Sequence, residues 1–408
     1  MRVFTFLSPF RFTRKKGIST PILLFCLLFC APAVANDSKN DRHRLPAHRE
    51  MQADDMDMMY QKGLAAAQDL AEPSALEEAL RWYRLSAQKG HPLAQHALGR
   101  AYELGQGASR DEALAVYWYT QAATNGLVAA QNNLGLMYKE GRGTGQDIGK
   151  ALYWLEKAAR NGDMFAQLNL GVMYYEGTEV QRDEKKARAF LLLSARQGEP
   201  QAQYNLGTMY YYGRGGEQGL PQAARWFHMA AQSGDAQAQY SYGLMLESGE
   251  GVRQDLEEAR TWFAKAAVQD FAPAQTALAH CHARGQGMEQ NTEQALYWYG
   301  KAAENGDPSA AHALGQLYER GLLVERNYAK ALKWYKQAAQ EGLGTSLFMV
   351  GRFYEEGISV PADPAQALYW YENALKAGFH EAATRIAAMK IRVVRQEENG
   401  AAGPKNSQ

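Results

Sequence analysis

Apolar residues recur along the chain with a period of 36 residues, which predicts a repeated structural unit. Each period contains two segments, typified by AQNNLGLMYKEG at residues 130–141 and KALYWLEKAARNG at residues 150–162. In both segments the spacing of the apolar positions fits one face of an amphipathic helix. An aromatic residue marks each period, and its series contains all eight tryptophans of the chain. The series is Trp82, Trp118, Trp154, Phe190, Trp226, Trp262, Trp298, Trp334 and Trp370.

Signals for helix ends recur with the same period. Proline at one position near the start of the first helix suits an initial turn, and an aspartate just before that position suits an N-cap. A glycine that suits a C-cap ends the first helix in every period after the first. The prolines are Pro92, Pro200 and Pro308; the aspartates are Asp163, Asp235 and Asp307; the glycines run Gly105, Gly141, Gly177, Gly213, Gly249, Gly285, Gly321 and Gly357.

The pattern predicts an all-α protein of nine helix-turn-helix units. One such hairpin cannot bury its apolar face alone, whereas stacked units can. Alanines in the second helix allow neighbouring backbones to approach, and the tryptophan fills the gap between units. The predicted fold is therefore a solenoid.

These residues resemble the Sel1-like repeat, a relative of the tetratricopeptide repeat. The resemblance rests on AxxxLGxxYxxGxG followed by KAxxWYxKAAxxG, and it covers residues 56–391. It implies a right-handed α/α superhelix that serves as a protein-interaction scaffold. Members of the family include envelope assembly adaptors, periplasmic signalling regulators and secreted factors that contact host proteins.

The first 35 residues resemble a secretory signal peptide. A segment with five basic residues and no acid precedes the apolar run PILLFCLLFC at residues 21–30, and a small-residue site follows at Ala33-Val34-Ala35. We predict cleavage after Ala35, a disordered leader over residues 36–55 and a disordered tail over residues 392–408. The predicted location is the periplasm, with secretion beyond the envelope or retention of an uncleaved anchor as alternatives.

Charge and cysteine content narrow the class of protein. The 44 basic and 44 acidic residues balance, so no nucleic-acid footprint is indicated. Loss of residues 1–35 removes five positive charges and leaves a mildly acidic chain without a predicted membrane span. Only Cys281 then remains, so no disulfide within the chain can form and stability depends on packing.

Candidate catalytic and phosphate-binding motifs coincide with repeat positions. Ser86 and Lys89 match the S-x-x-K of penicillin-recognising enzymes, but Ser86 occupies a slot that holds alanine in other repeats and serine again at Ser194. The loops GRGTG (141–145) and GRGGEQG (213–219) are the turns of the repeat and follow no strand pattern. The prediction is a protein that is not an enzyme and has no cofactor site.

A metal site is also not predicted. The neighbours His280, Cys281 and His282 diverge around a helix, and Cys281 occupies a slot that holds methionine in other repeats. His280 could approach His312 of the next repeat, and a solvated histidine pair is the simpler interpretation.

Function is expected at exposed positions that differ between repeats. The first helix has three such positions, at i, i+4 and i+7, and each position forms a row along the repeats. Row one is His96, Asn132, Leu168, Tyr204, Tyr240, Thr276, His312 and Phe348. Row two is Arg100, Leu136, Val172, Thr208, Leu244, His280, Gln316 and Arg352. Row three is Glu103, Lys139, Tyr175, Tyr211, Glu247, Ala283, Glu319 and Glu355.

The middle of this face is aromatic and aliphatic, whereas its outer parts are polar or charged. Exposed apolar clusters with polar rims mark interfaces, and tyrosine is common among the residues that dominate binding. We therefore predict a partner-binding groove, with burial against the next repeat as the alternative for the same residues. The predicted groove comprises Leu168, Val172, Tyr175, Tyr204, Thr208, Tyr211, Tyr240 and Leu244.

The predicted function is an exported scaffold that binds a protein or peptide in this groove. An envelope assembly factor that docks two proteins is the first alternative. An enzyme of cell-wall or β-lactam chemistry is the second.

Overall fold

The computed structural model describes residues 47–68 and 74–401, and this part of the chain consists of 19 α-helices without a strand. The first helices of the nine repeats are α1 (Ala47–Gln68), α3 (Pro92–Leu104), α5 (Val128–Glu140), α7 (Met164–Glu176), α9 (Pro200–Tyr212), α11 (Ala236–Ser248), α13 (Ala272–Arg284), α15 (Pro308–Arg320) and α17 (Gly344–Glu356). The second helices are α2 (Ala75–Gln88), α4 (Glu112–Thr124), α6 (Ile148–Arg160), α8 (Glu184–Arg196), α10 (Leu220–Gln232), α12 (Leu256–Ala267), α14 (Thr292–Glu304), α16 (Tyr328–Gln340) and α18 (Pro364–Lys376). A final helix, α19 (Ala382–Ala401), follows the ninth repeat. The predicted all-α repeat fold is confirmed.

The described residues form two compact units. The N-terminal unit consists of residues 47–206 and 214–217, and the C-terminal unit of residues 207–213 and 218–401. Within each unit the helices that pack together most extensively are the two helices of one repeat. The repeat is therefore the building block of both units.

The helix ends follow the predicted signals. The chain leaves α3 through Gly105 at φ 71°, a left-handed conformation that glycine adopts without a steric penalty. The Asp163 carboxylate accepts a 2.7 Å hydrogen bond from the backbone N–H of Ala166 and so caps α7. The second helices have caps of their own, for example Asp111, which accepts from the N–H of Leu114 at 2.9 Å.

Close contact between the helices of one repeat explains the glycine within the first helix. A Cβ at Gly99 would lie 2.6 Å from the Tyr119 ring, so only glycine leaves room for that ring. The Tyr119 side chain is consequently wholly buried. Trp118 packs against the cluster in which Leu80 of the first repeat meets Leu98 of the second, so the tryptophan lies at a joint between units, as predicted.

A repeated glutamine joins consecutive repeats. Gln167 in α7 donates a 3.0 Å hydrogen bond from Nε2 to the carbonyl oxygen of Ala159 at the end of α6. Its Oε1 accepts a 2.8 Å hydrogen bond from Gln197 of the same repeat. Both contacts are largely buried, so the amide satisfies a carbonyl that the helix end would leave unpaired. Gln95, Gln131, Gln203, Gln239 and Gln275 donate to the equivalent carbonyls.

The ends of the solenoid differ from the predicted boundaries. Helix α1 begins at Ala47, inside the predicted leader of residues 36–55, and α19 continues to Ala401, inside the predicted tail of residues 392–408. The predicted signal peptide, residues 1–35, lies outside the described residues. Among the described helices, none combines the length and the apolar character needed to cross a membrane.

Candidate partner-binding face

The three variable rows of the first helices differ in exposure. Row three is partly exposed in all eight repeats that contribute to it, from Glu103 to Glu355. Rows one and two are buried from Asn132 to Thr208 and again at Thr276, and they are partly exposed elsewhere. Row three is therefore the row that remains accessible to a partner in each of the two units.

The prediction of an exposed apolar groove is wrong for four of its eight residues. The exposed fractions are 3% for Leu168, 1% for Val172, 0% for Tyr204 and 2% for Thr208. First helices of successive repeats in the N-terminal unit lie close together, as the 3.0 Å hydrogen bond from Asn169 Nδ2 to Asn132 Oδ1 shows. Rows one and two therefore face the neighbouring helix in this region, as the alternative of burial against the next repeat anticipated.

The other four predicted groove residues, Tyr175, Tyr211, Tyr240 and Leu244, are partly exposed. Tyr175 lies in the N-terminal unit, where its ring is 5.4 Å from the Arg182 guanidinium. Tyr211 lies in the C-terminal unit and donates a 2.8 Å hydrogen bond to the Glu250 carboxylate. These contacts hold both rings in place, so a partner would meet an ordered surface. The assignment of these residues to a partner site stays a prediction.

Tyr240 is fixed in a similar way by aromatic neighbours within the C-terminal unit. Its ring centroid lies 5.8 Å from that of Phe263 and 5.6 Å from that of Phe271. Such tilted and edge-to-face pairs add to the energy of burial. Part of the Tyr240 ring therefore belongs to the scaffold and part of it is available at the surface.

Row three contains polar clusters in which a buried tyrosine contacts a partly exposed glutamate, and these clusters were not predicted from the sequence. Glu103 accepts a 2.6 Å hydrogen bond from the Tyr119 hydroxyl and a 2.7 Å hydrogen bond from Arg142 of the next repeat. Burial and the nearby Glu103 carboxylate together raise the pKa of Tyr119 well above its usual range. The carboxylate thus faces the surface with a fixed orientation and links two repeats.

The same cluster recurs in the C-terminal unit. Glu319 accepts from the Tyr335 hydroxyl at 2.6 Å and from Arg352 of the following repeat. Glu355 accepts from the Tyr371 hydroxyl at 2.7 Å. The signal was present in the sequence, because tyrosine follows these row-three glutamates by 16 residues each time.

The candidate catalytic serine has a structural role in its repeat. Ser86 is fully buried, and its hydroxyl donates a 2.7 Å hydrogen bond to the carbonyl oxygen of Met56. Ser194, in the same slot, donates to the carbonyl oxygen of Met164 at 2.8 Å. Lys89 forms an ion pair with Asp55 at 2.6 Å. Both serines therefore fasten the first helix of their repeat to the second helix.

The histidines and cysteine of α13 have separate surroundings. His280 makes an edge-on contact with Tyr299, whereas His312 shares a 2.7 Å hydrogen bond with Ser346. Cys281 is buried, and burial raises the pKa of its thiol to about 11. Within the part of the chain that the structure describes, no three His, Cys, Asp or Glu side chains are grouped to hold a metal ion.

Paired helices, most of them 13 residues long, that are joined by repeated glycine turns define an α/α solenoid repeat protein. The Sel1 repeat family matches the chain over nine segments, residues 58–91, 92–127, 128–163, 165–199, 200–235, 236–270, 272–307, 308–343 and 345–379. The chain therefore belongs to the Sel1 repeat family. Solenoids of this family typically act as protein-interaction scaffolds.

Two solved structures are similar over most of the chain. A Sel1 repeat protein from Oxalobacter formigenes is 33% identical, with a TM-score of 0.55 over 74% of this chain and 89% of that chain. A protective antigen of uropathogenic Escherichia coli that displays an SLR fold is 28% identical, with a TM-score of 0.50 over 86% of this chain and 91% of that chain. No curated protein matches the chain.

Proposed function

We propose that the protein is an exported interaction scaffold that binds a protein or peptide along the first helices of its repeats. The observation that supports this proposal most is the contrast between positions within one helix. Repeated positions such as Leu134 and Gly135 are buried and build the solenoid, whereas row three is partly exposed in every repeat and changes in chemistry. A surface that varies on a constant scaffold can encode recognition of one partner.

The side chains of row three suit a partner that presents both charged and apolar groups. In the N-terminal unit the row presents Glu103, Lys139 and Tyr175, and the Lys139 ammonium lies 3.7 Å from Glu179. In the C-terminal unit Tyr211 is followed by Glu247. Tyrosines supply contact area with few rotatable bonds, and fixed charges supply specificity.

Capture of partners tests this proposal. The purified protein would be used as bait in bacterial envelope extract and, separately, in host-cell lysate. The test bait carries Tyr175→Ser, Tyr211→Ser and Tyr240→Ser, and a matched control bait carries Tyr117→Ser, Tyr153→Ser and Tyr297→Ser on the second helices. Tyr204, which is buried, is left unchanged in both baits because serine there would leave a cavity.

We expect a partner that the wild type and the control bait retain and the test bait loses. All three baits must keep the circular dichroism spectrum of the wild type. Equal capture by test and control baits would move the site away from the first helices. Capture by none of the three would argue against a scaffold function.

Export is tested independently of binding. Residues 1–35 would be fused to an alkaline phosphatase that lacks its own signal and is active only after export. The basic start, the apolar run at residues 21–30 and Ala33-Val34-Ala35 support an active fusion whose mature chain begins after Ala35. Inactive fusion protein would reject the proposal of export while leaving the scaffold proposal in place.

An envelope assembly factor that docks two proteins is the second candidate. Exposed tyrosines on the second helices favour it, since they provide an aromatic row apart from row three. Tyr117 is 53% exposed, Tyr153 59%, Tyr297 51% and Tyr369 57%. A partner lost by the Tyr117, Tyr153 and Tyr297 bait and kept by the other would support this candidate.

A further inference from the structure

In one row of positions along the second helices, four repeats have an exposed tyrosine, and α8 is the one helix that has alanine. The row is Arg81, Tyr117, Tyr153, Ala189, Arg225, Thr261, Tyr297, Lys333 and Tyr369. Tyr117 in α4 and Tyr153 in α6 are each more than half exposed, and each lies edge-on to the tryptophan that follows it, with ring centroids 5.0 Å apart. The equivalent position in α8 is Ala189. The next residue is Phe190, where most repeats have tryptophan. The α8 step of this row therefore lacks one large aromatic side chain.

A groove of about 360 Å³ lies at this step, between α6 and α8. Its apolar floor is formed by Ala189, Phe190, Leu193 and Tyr174. The Phe190 and Tyr174 rings are stacked nearly parallel, 5.9 Å apart, and Leu193 is 47% exposed. The floor is thus apolar and open to water at a position where α4 and α6 carry the large side chains of Tyr117 and Tyr153.

The rim of the groove is charged and predominantly basic. Arg160 and Lys186 border it together with Glu156, and Arg160 donates a 2.8 Å hydrogen bond to Glu156. The Lys186 ammonium lies 5.0 Å from the centre of the Tyr174 ring. The Lys186 ammonium also lies 3.8 Å from the Asp183 carboxylate. The side chains of Arg160 and Lys186 are 77% and 59% exposed, so both can still reach a ligand.

The surrounding helices strengthen this positive character. Helix α6 has three basic residues against one acid, and α8 has four against one. The other second helices of the N-terminal unit differ, because α2 has two basic residues against two acids and α4 has one acid and no basic residue. The basic charge is therefore concentrated on the two helices that form the groove.

We propose that the groove between α6 and α8 binds an acidic peptide segment that inserts one aromatic side chain over Ala189. The inserted ring would take the place of the tyrosine that α4 and α6 carry at this position and would pack against Phe190 and Leu193. Flanking Asp or Glu side chains of the peptide would pair with Arg160 and Lys186. Apolar burial anchors the ring, and charge complementarity selects acidic over basic segments.

The variant Ala189→Tyr is the sharpest test, because it fills the groove with the residue that the fold already accepts at Tyr117 and Tyr153. Random 12-residue peptides displayed on phage would be selected on the wild-type protein after depletion on Ala189→Tyr. We expect enriched peptides to carry an aromatic residue with Asp or Glu nearby. Selected peptides should bind Ala189→Tyr and the double variant Arg160→Glu, Lys186→Glu at least tenfold more weakly than the wild type.

Tyr297→Ala, a change on the exposed row of the C-terminal unit, serves as the control and should bind the selected peptides like the wild type. The thermal melt of Ala189→Tyr should match that of the wild type, so that lost binding reports on the groove. Failure to enrich peptides over Ala189→Tyr, or enrichment of peptides without the aromatic residue or without acids, would overturn the proposal. Neither result would affect the binding proposed for row three, since that row lies on the first helices.

Discussion

The Tyr119 hydroxyl donates a 2.6 Å hydrogen bond to the Glu103 carboxylate and so joins the two helices of the second repeat at the variable face. Tyr119→Phe removes the donor and leaves Glu103 with Arg142 as its partner. Hydrogen bonds to charged groups contribute about 1.5–3 kcal/mol, and we expect the free energy of unfolding to fall by that amount. Chemical denaturation of the variant checks this. Tyr117→Phe, which alters an exposed ring, is the control and should have no effect.

Alkaline pH should weaken the same cluster. Burial, with the neighbouring carboxylate, raises the pKa of Tyr119, Tyr335 and Tyr371 well above the usual value. A group whose pKa is higher in the folded state than in the unfolded state stabilises the folded state. This stabilisation is complete below the unfolded pKa of about 10 and decreases as the pH rises above that value. Each pH unit above 10 should remove up to about 1.4 kcal/mol for each such tyrosine. Melting temperatures of the wild type and Tyr119→Phe between pH 9 and 11 test this, and parallel curves would refute it.

Acidic pH should also destabilise the protein, through protonation of His96. Burial, with the nearby Arg100 charge, lowers the pKa of His96 to about 4. The folded state therefore resists protonation, so stability is highest above pH 6.5 and declines as the pH falls toward 4. Between pH 7.5 and pH 5, we expect the free energy of unfolding of His96→Gln to fall by about 1 kcal/mol less than that of the wild type. This figure allows for partial exposure of the ring to water. Equal losses in both proteins would show that other groups dominate.

The same residues show how far the sequence predicts this structure. The nine repeats, the helix caps at Asp163, Asp235 and Asp307 and the glycine turns could be predicted because each follows from a local rule that the period repeats. The burial of Leu168 and Tyr204 could not be predicted. Periodicity shows which residues share a helix face, but it does not give the distance from that face to the next helix. The Tyr119–Glu103 pair is an intermediate case, since the same two residue types occur together in three repeats but lie on different helices.

The repeated glutamine should contribute to the joint between repeats. Gln167→Leu deprives the Ala159 carbonyl of its donor and the Gln197 amide of its acceptor, while a side chain of similar size fills the space. An unsatisfied buried polar group costs about 1–3 kcal/mol, and we expect a loss of unfolding free energy in that range. Gln197→Ala breaks only one of the two hydrogen bonds and should cost less. If both variants lose equal stability, the carbonyl contact contributes little.

Asp270 should be replaceable by glycine with a gain in stability. It closes the second helix of the sixth repeat at φ 59°, where the other eight repeats have glycine at φ 81° to 95°. A left-handed conformation strains a residue that has a Cβ, although Asp tolerates it better than most. Asp270→Gly relieves that strain but increases the entropy of the unfolded chain, and we expect a net gain of about 0.5 kcal/mol.

The reverse exchange in the same unit is the matched control for Asp270. Gly234 adopts φ 94°, and a Cβ added there would meet no atom within 4 Å, so Gly234→Asp introduces backbone strain without a steric clash. We expect Gly234→Asp to lower the free energy of unfolding by about 1 kcal/mol or more. Denaturation of both variants provides the comparison. If Asp270→Gly destabilises the protein, its 3.4 Å hydrogen bond from Gln275 outweighs the strain, and the sixth repeat depends on the aspartate rather than tolerating it.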